Sequence, residues 1–147
     1  MSELQRFLKG DGRDGAGRTI DDVLSFDDDQ LERRHDFIQW LFPMLEPSRV
    51  VPGSPVLRPD DVDALRASAT AQANLSRAAE RMLRFYARTP QWRRAFDHNH
   101  LRITRIIRSL RLLAGGGAAD EFRTSVLTLA GEATSVNEAS LRFWREA

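Results

Sequence analysis

Apolar residues in this chain recur at intervals of three and four, and no stretch alternates with period two for long enough to form a strand, so the pattern predicts helices throughout. A short apolar patch at Leu4, Phe7 and Leu8 precedes Gly10, Gly12, Gly15 and Gly17, which read as a flexible loop. Thr19 with Asp22 resembles a capping box and opens one apolar turn at Ile20, Val23 and Leu24. Ser25 with Asp28 repeats the signal. Leu31, Phe37, Ile38, Leu41 and Phe42 then carry a second, longer helix to Pro43, which should end it. From Pro43 to Arg58 the prolines at 43, 47, 52 and 55, with Gly53, exclude a regular helix and predict an ordered loop.

Pro59, followed by Asp60 and Asp61, opens a long helical segment through Leu65, Leu75, Met82, Phe85 and Tyr86, with a bend near Thr70. Thr89-Pro90 breaks it, and Trp92 and Phe96 fall in a short connecting turn. Ile103, Ile106, Ile107, Leu110 and Leu113 mark one face of a helix that starts at Asn99 and stops at Gly115 to Gly117. Phe122, Val126, Leu127 and Leu129 form a fifth apolar segment. Ser135 with Glu138 caps a last helix carrying Leu141, Phe143 and Trp144. The expected fold is all-α: a single compact domain of five to seven helices, with the Arg102 to Leu113 helix near its centre and residues 43–58 as one proline-rich ordered loop. Residues 1–18 are expected to form a flexible glycine-rich segment ahead of a helical domain over 19–147.

Composition supports a globular reading, with 41% apolar and 29% charged residues in 147. The absence of cysteine excludes disulfides, thiolate zinc sites and cysteine nucleophiles. No window is apolar enough to span a bilayer and the start has no signal-peptide pattern, so a cytoplasmic location is expected. Net charge is only +1, yet the signs are segregated: Asp11 to Glu32 holds eight acidic residues against Arg13 and Arg18, and Arg81 to Arg111 holds nine arginines against Asp97.

Candidate chemistry is sparse. The spacing Gly10-x-Gly12-x-x-Gly15 imitates a dinucleotide fingerprint, but no strand precedes it and acidic residues follow it, so no cofactor is expected. In His98-Asn99-His100 the two histidines point different ways on a helix, which argues against a metal; Asn99 is expected to cap the helix and one imidazole to bond a backbone carbonyl. Arg102, Arg105, Arg108 and Arg111 step by three, after Arg93 and Arg94, and Trp92 nearby would offer a stacking face for a base. Phe37, Trp40, Leu41 and Phe42 read either as core or as an aromatic slot for an extended peptide, with Gln39 as a polar contact. No nucleophile and base, or pair of carboxylates, come together in the pattern, so no catalysis is expected.

Three blocks carry a resemblance. His35-Asp-Phe-Ile-Gln-Trp-Leu-Phe-Pro43 with Glu46-Pro-Ser48, then Glu80-Arg-Met-Leu-Arg-Phe-Tyr86, then Asn99-His-Leu-Arg-Ile-Thr-Arg-Ile-Ile-Arg-Ser-Leu110, resemble in order the conserved region of the opioid growth factor receptor family. Gly17 to Leu24 and Leu141 to Glu146 are similar to its bacterial branch. The resemblance implies an all-helical domain, with binding of the pentapeptide Met-enkephalin and restraint of cell proliferation in the animal receptors, and it implies no established catalytic residue. The long tail of repeats and the basic nuclear-import segment of the animal receptors are not expected here. The expected function is a non-catalytic binding module for a peptide, a protein or a small ligand, using Trp40, Gln39, His35, Asn99, His100, Arg102 and Arg105. The alternative is a nucleic-acid or phosphate surface at Arg93, Arg94, Arg108 and Arg111.

Overall fold

The computed structural model describes residues 1–147, and every regular element in it is helical. Nine α-helices and one 3-10 turn are present, and the chain divides into two compact units, residues 1–78 and 79–147, with the division inside the helix Ala69–Arg88. No helix is long and apolar enough to cross a membrane.

The first unit begins with α1, Glu3–Lys9, capped by the Ser2 hydroxyl, which accepts from the Gln5 N–H at 3.2 Å. It buries Leu4, Phe7 and Leu8 and ends on Gly10 at φ 88°. The segment that the glycines mark as flexible therefore starts with a packed helix. The loop after it is tied down by the buried Asp14 carboxylate, which accepts from the backbone N–H of Ala16 and Arg18, both at 2.9 Å. Helix α2, Ile20–Leu24, carries the Thr19 and Asp22 capping box. Helix α3, Asp28–Arg33, is capped by Asp27 with Gln30 instead of by Ser25 with Asp28.

The long helix expected up to Pro43 is two pieces. The chain leaves α3 at Arg34, with ψ at 135°, and re-enters as the single turn α4, Ile38–Leu41. Burial explains the break. All six residues from Phe37 to Phe42 are buried, and a helix lying on a surface buries only a stripe. The 43–58 loop is pinned at its base, where Leu57 is buried and its N–H donates to the Met44 carbonyl at 2.9 Å. Helices α5, Pro59–Ala67, and α6, Ala69–Arg88, are separated at Ser68, where ψ is 113° and the hydroxyl accepts from Ala71 N–H. The bend expected near Thr70 is thus a break two residues earlier.

The second unit contains the end of α6, the 3-10 turn Gln91–Arg93, then α7, Asn99–Leu113, α8, Gly116–Ala130, and α9, Glu138–Glu146. Helix α7 buries Ile103, Ile106, Ile107, Leu110 and Leu113, the face its spacing predicts. Gly115 alone, at φ 102°, turns α7 into α8, and the two following glycines already belong to α8. Asn137, not Ser135, caps α9 by accepting from Ser140 N–H at 2.8 Å.

Candidate functional site

The site begins with α4. A turn this short has almost no stability of its own, and it is held by what surrounds its side chains. Trp40 packs on Phe7 with ring centroids 5.5 Å apart. A Cβ placed on Gly15 would lie 3.7 Å from Trp40 Cζ2, so the glycine-rich loop runs along the indole. That loop is fixed by an ion pair. Arg18 Nε donates to Asp14 Oδ2 at 2.8 Å and its Nη2 donates to Asp36 Oδ1 at 3.0 Å. Burial works against the charge on Arg18, but the hydrogen bonds to Asp14 and Asp36 outweigh it and hold the guanidinium pKa above its ordinary value. His35 is exposed in the connection between α3 and α4.

Gln39, read from the sequence as a polar contact, does not lie on the surface. It is 7% exposed, and its Oε1 is enclosed with no hydrogen-bond donor. A buried acceptor left unpaired costs about 1–3 kcal/mol. After α4, the proline-rich loop exposes Leu45 and Val50, and the Ser48 hydroxyl accepts from the N–H groups of Val50 and Val51. Phe7, Asp14 and Gly15 complete this surrounding; Phe7 carried a sequence signal as part of an apolar patch and Gly15 as part of the glycine-rich loop, and Asp14 carried none.

In the second unit the residues of the third block face inward. Asn99 is fully buried; its Oδ1 accepts from Tyr86 Oη at 3.3 Å and from Arg102 Nη1 at 3.4 Å. The cap of α7 comes from Asp97, whose Oδ2 accepts both from Asn99 N at 3.0 Å and from Asn99 Nδ2 at 2.9 Å. His100 is engaged at both ring nitrogens. Nε2 lies 2.7 Å from the Trp92 carbonyl, so it carries the proton, and Nδ1 lies 3.1 Å from Ser140 Oγ. The expected bond from an imidazole to a backbone carbonyl is this one. Trp92 is completely buried, donates to the Tyr86 carbonyl at 2.8 Å and carries the Arg93 guanidinium over its ring, so it offers no stacking face to a base. Arg102 is buried and Arg105 half-buried. Arg94 pairs with Asp97, and Arg111 with Asp120 at 2.8 Å, whereas Arg108 is exposed.

Set beside known proteins, residues 16–141 match the family described as the opioid growth factor receptor (OGFr) conserved region. The chain belongs to that family. It is 36% identical to the opioid growth factor receptor of Rattus norvegicus over 115 residues, covering 64% of this chain and 20% of the receptor. The receptor of Mus musculus shows the same identity and length, with 18% of it covered, and that of Homo sapiens is 38% identical over 101 residues, with 56% of this chain and 15% of the receptor covered. The OGFr-type chain thus spans a fifth or less of the curated relatives it matches. No solved structure matches it. The matched stretch contains α4, the proline-rich loop and α7, but not α1, whose Phe7 supports Trp40.

Proposed function

We propose that this OGFr-region domain is a non-catalytic binding module that takes a peptide or small ligand at the Gln39 and Trp40 step of α4, with the 43–58 loop as its rim. The observation that carries the reading is the enclosed, unpaired Oε1 of Gln39. Folding gains nothing from an acceptor kept in that state, since an apolar side chain of similar size would pack there without the penalty. A ligand bearing an N–H or O–H donor would satisfy it once the side chains that enclose it give way on binding. The neighbouring Trp40, 8% exposed, is a large, rigid apolar side chain, and Leu45 and Val50 are exposed apolar residues of the loop that follows α4. The chemistry such a ligand needs is a hydrogen-bond donor next to an apolar group.

The test is a screen of N-acetylated tripeptide amides against the isotope-labelled domain by amide chemical-shift mapping, repeated with Gln39→Leu. The expected result is saturable shifts at Gln39, Trp40 and the 43–58 loop, lost in Gln39→Leu while that variant gains about 1 kcal/mol of stability. A Gln39→Leu variant that unfolds more easily than the parent, or a parent without shifts in this region, would overturn the reading.

A further inference from the structure

The chain has three tryptophans, and the fold treats their indole N–H groups differently. Trp92 Nε1 donates to the Tyr86 carbonyl at 2.8 Å and Trp144 Nε1 to the His100 carbonyl at 3.0 Å. Trp40, only 8% exposed, has no acceptor for its N–H. Buried indoles ordinarily find one, because the donor is costly to strip of water and leave unpaired. With the enclosed Oε1 of Gln39, α4 therefore carries an orphan acceptor and an orphan donor in consecutive residues.

The N–H edge of Trp40 faces Gly15, an exposed residue, where a Cβ would lie 3.7 Å from Cζ2 and 3.9 Å from Nε1. Both are ordinary contact distances, and Gly15 is not in the left-handed region, unlike Gly10 and Gly17 at φ 88° and 79°. Neither the backbone nor the packing demands a glycine at this position. A methyl group there would, however, lie against the indole N–H and crowd any ligand atom approaching it. The adjacent Asp14 carboxylate is already engaged: Oδ1 accepts from Ala16 N and Arg18 N, and Oδ2 from Arg18 Nε. Its guanidinium partner is shared with Asp36. Counting Asp11 and Arg13 of the same loop, three acids stand against two arginines, a formal charge of −1 beside the free donor.

We infer that Trp40 Nε1 takes a neutral carbonyl oxygen of the ligand at the open edge beside Gly15. The inference rests on the reading of α4 as the binding site and adds the class of ligand: an amide-bearing molecule such as a peptide main chain, which offers an acceptor to Trp40 and a donor to Gln39. A carboxylate would be repelled by the negative balance of the loop, and a hydrocarbon would leave the indole N–H unpaired. Gly15 is the residue that keeps the donor accessible.

The probe is N-acetylproline dimethylamide, whose amides carry carbonyls and no N–H, and the readout is the indole N–H signals of the isotope-labelled full chain. The probe is expected to move the Trp40 indole signal saturably, in the parent and equally in Gln39→Leu, because it has nothing to donate to Oε1. Gly15→Ala should weaken binding about fivefold, the weight of one net hydrogen bond, without lowering the melting temperature. Trp40→Phe, which keeps a ring against Phe7 but has no N–H, should weaken it by at least as much; if that variant does not fold, Gly15→Ala carries the comparison. N-acetylproline, with a carboxylate in place of the second amide, should bind more weakly than the dimethylamide, and the gap should narrow as salt is added. An indole signal that the probe leaves in place, a Gly15→Ala chain that melts early or binds as tightly as the parent, or a preference for the carboxylate would overturn the inference. Failure here is separable from failure of the Gln39 reading: tripeptide amides that shift Gln39 and the 43–58 loop but spare the indole, with binding unchanged in Gly15→Ala, would sink the Trp40 contact alone.

Discussion

A single side chain, Asp61, fastens the start of α1 to α5. Its carboxylate accepts from Ser2 Oγ at 2.6 Å, Gln5 Nε2 at 2.8 Å and Arg58 N at 2.9 Å. Burial alone would raise its pKa, but those three hydrogen bonds and the nearby Arg58 charge prevail and hold it below the usual carboxylate range. A depressed folded-state pKa stabilises the fold above the unfolded pKa of about 3.9, and that contribution disappears as pH falls through the lower folded value. Acid titration of the folded chain should therefore show a loss of stability beginning near pH 4, and Asp61→Asn should remove this component at neutral pH at a cost of about 1–2 kcal/mol, measurable by urea unfolding. Gly12 makes a different demand. Its ideal Cβ would fall 2.5 Å from Arg6 Cβ and 3.0 Å from the Arg6 backbone carbon, neither of which can swing away. Gly12→Ala should cost about 1–3 kcal/mol by chemical denaturation, from overpacking alone.

Legibility in the sequence rises with the length of the element. Helix α7, of 15 residues, repeats its apolar interval often enough for the face to be read directly, and its buried residues are those the interval names. Helices α1 to α4 have seven, five, six and four residues, too few turns for periodicity to distinguish a helix from a packed irregular segment. The interval from Leu31 to Phe42 fitted one helix because residues buried on every side also satisfy a three- and four-residue spacing. The caps differ by a few residues from those the sequence predicts for a related reason. Ser25, Asn99 and Ser135 have the right chemistry, but Asp27, Asp97 and Asn137 are the groups whose oxygens meet the orphan N–H groups. Nor does pattern reveal whether an aromatic is inside: Trp144 is buried and the adjacent Phe143 is not.

On the scale of the whole chain, the sign of charge follows the division into units. Residues 1–78 hold ten basic and fourteen acidic groups, a formal −4, against the +5 of residues 79–147. The segregation was visible in the sequence, and the arginine run suggested a polyanion surface. Folding gives Arg94 and Arg111 of that run acidic partners, and a linear reading cannot see the second because Arg111 and Asp120 meet across the α7 to α8 turn and Arg111 reaches Ala147 36 positions away. The unpaired Oε1 of Gln39, in contrast, has no counterpart in the sequence, because an unpaired acceptor exists only in three dimensions.

The packing of Phe7 and Trp144 bears on where this domain can be cut. The stretch shared with the OGFr region ends at residue 141 and starts at 16, and a recombinant fragment trimmed to it would discard a phenylalanine and a tryptophan that are both completely buried. Loss of either ring from a packed interior costs about 3–5 kcal/mol, comparable to the whole stability of many domains. Residues 16–141 alone should melt well below the 1–147 chain, or precipitate, in differential scanning fluorimetry. The packed interior therefore extends beyond the recognisable stretch, and expression or library work on relatives should keep about fifteen residues ahead of the match and the helix turn beyond it.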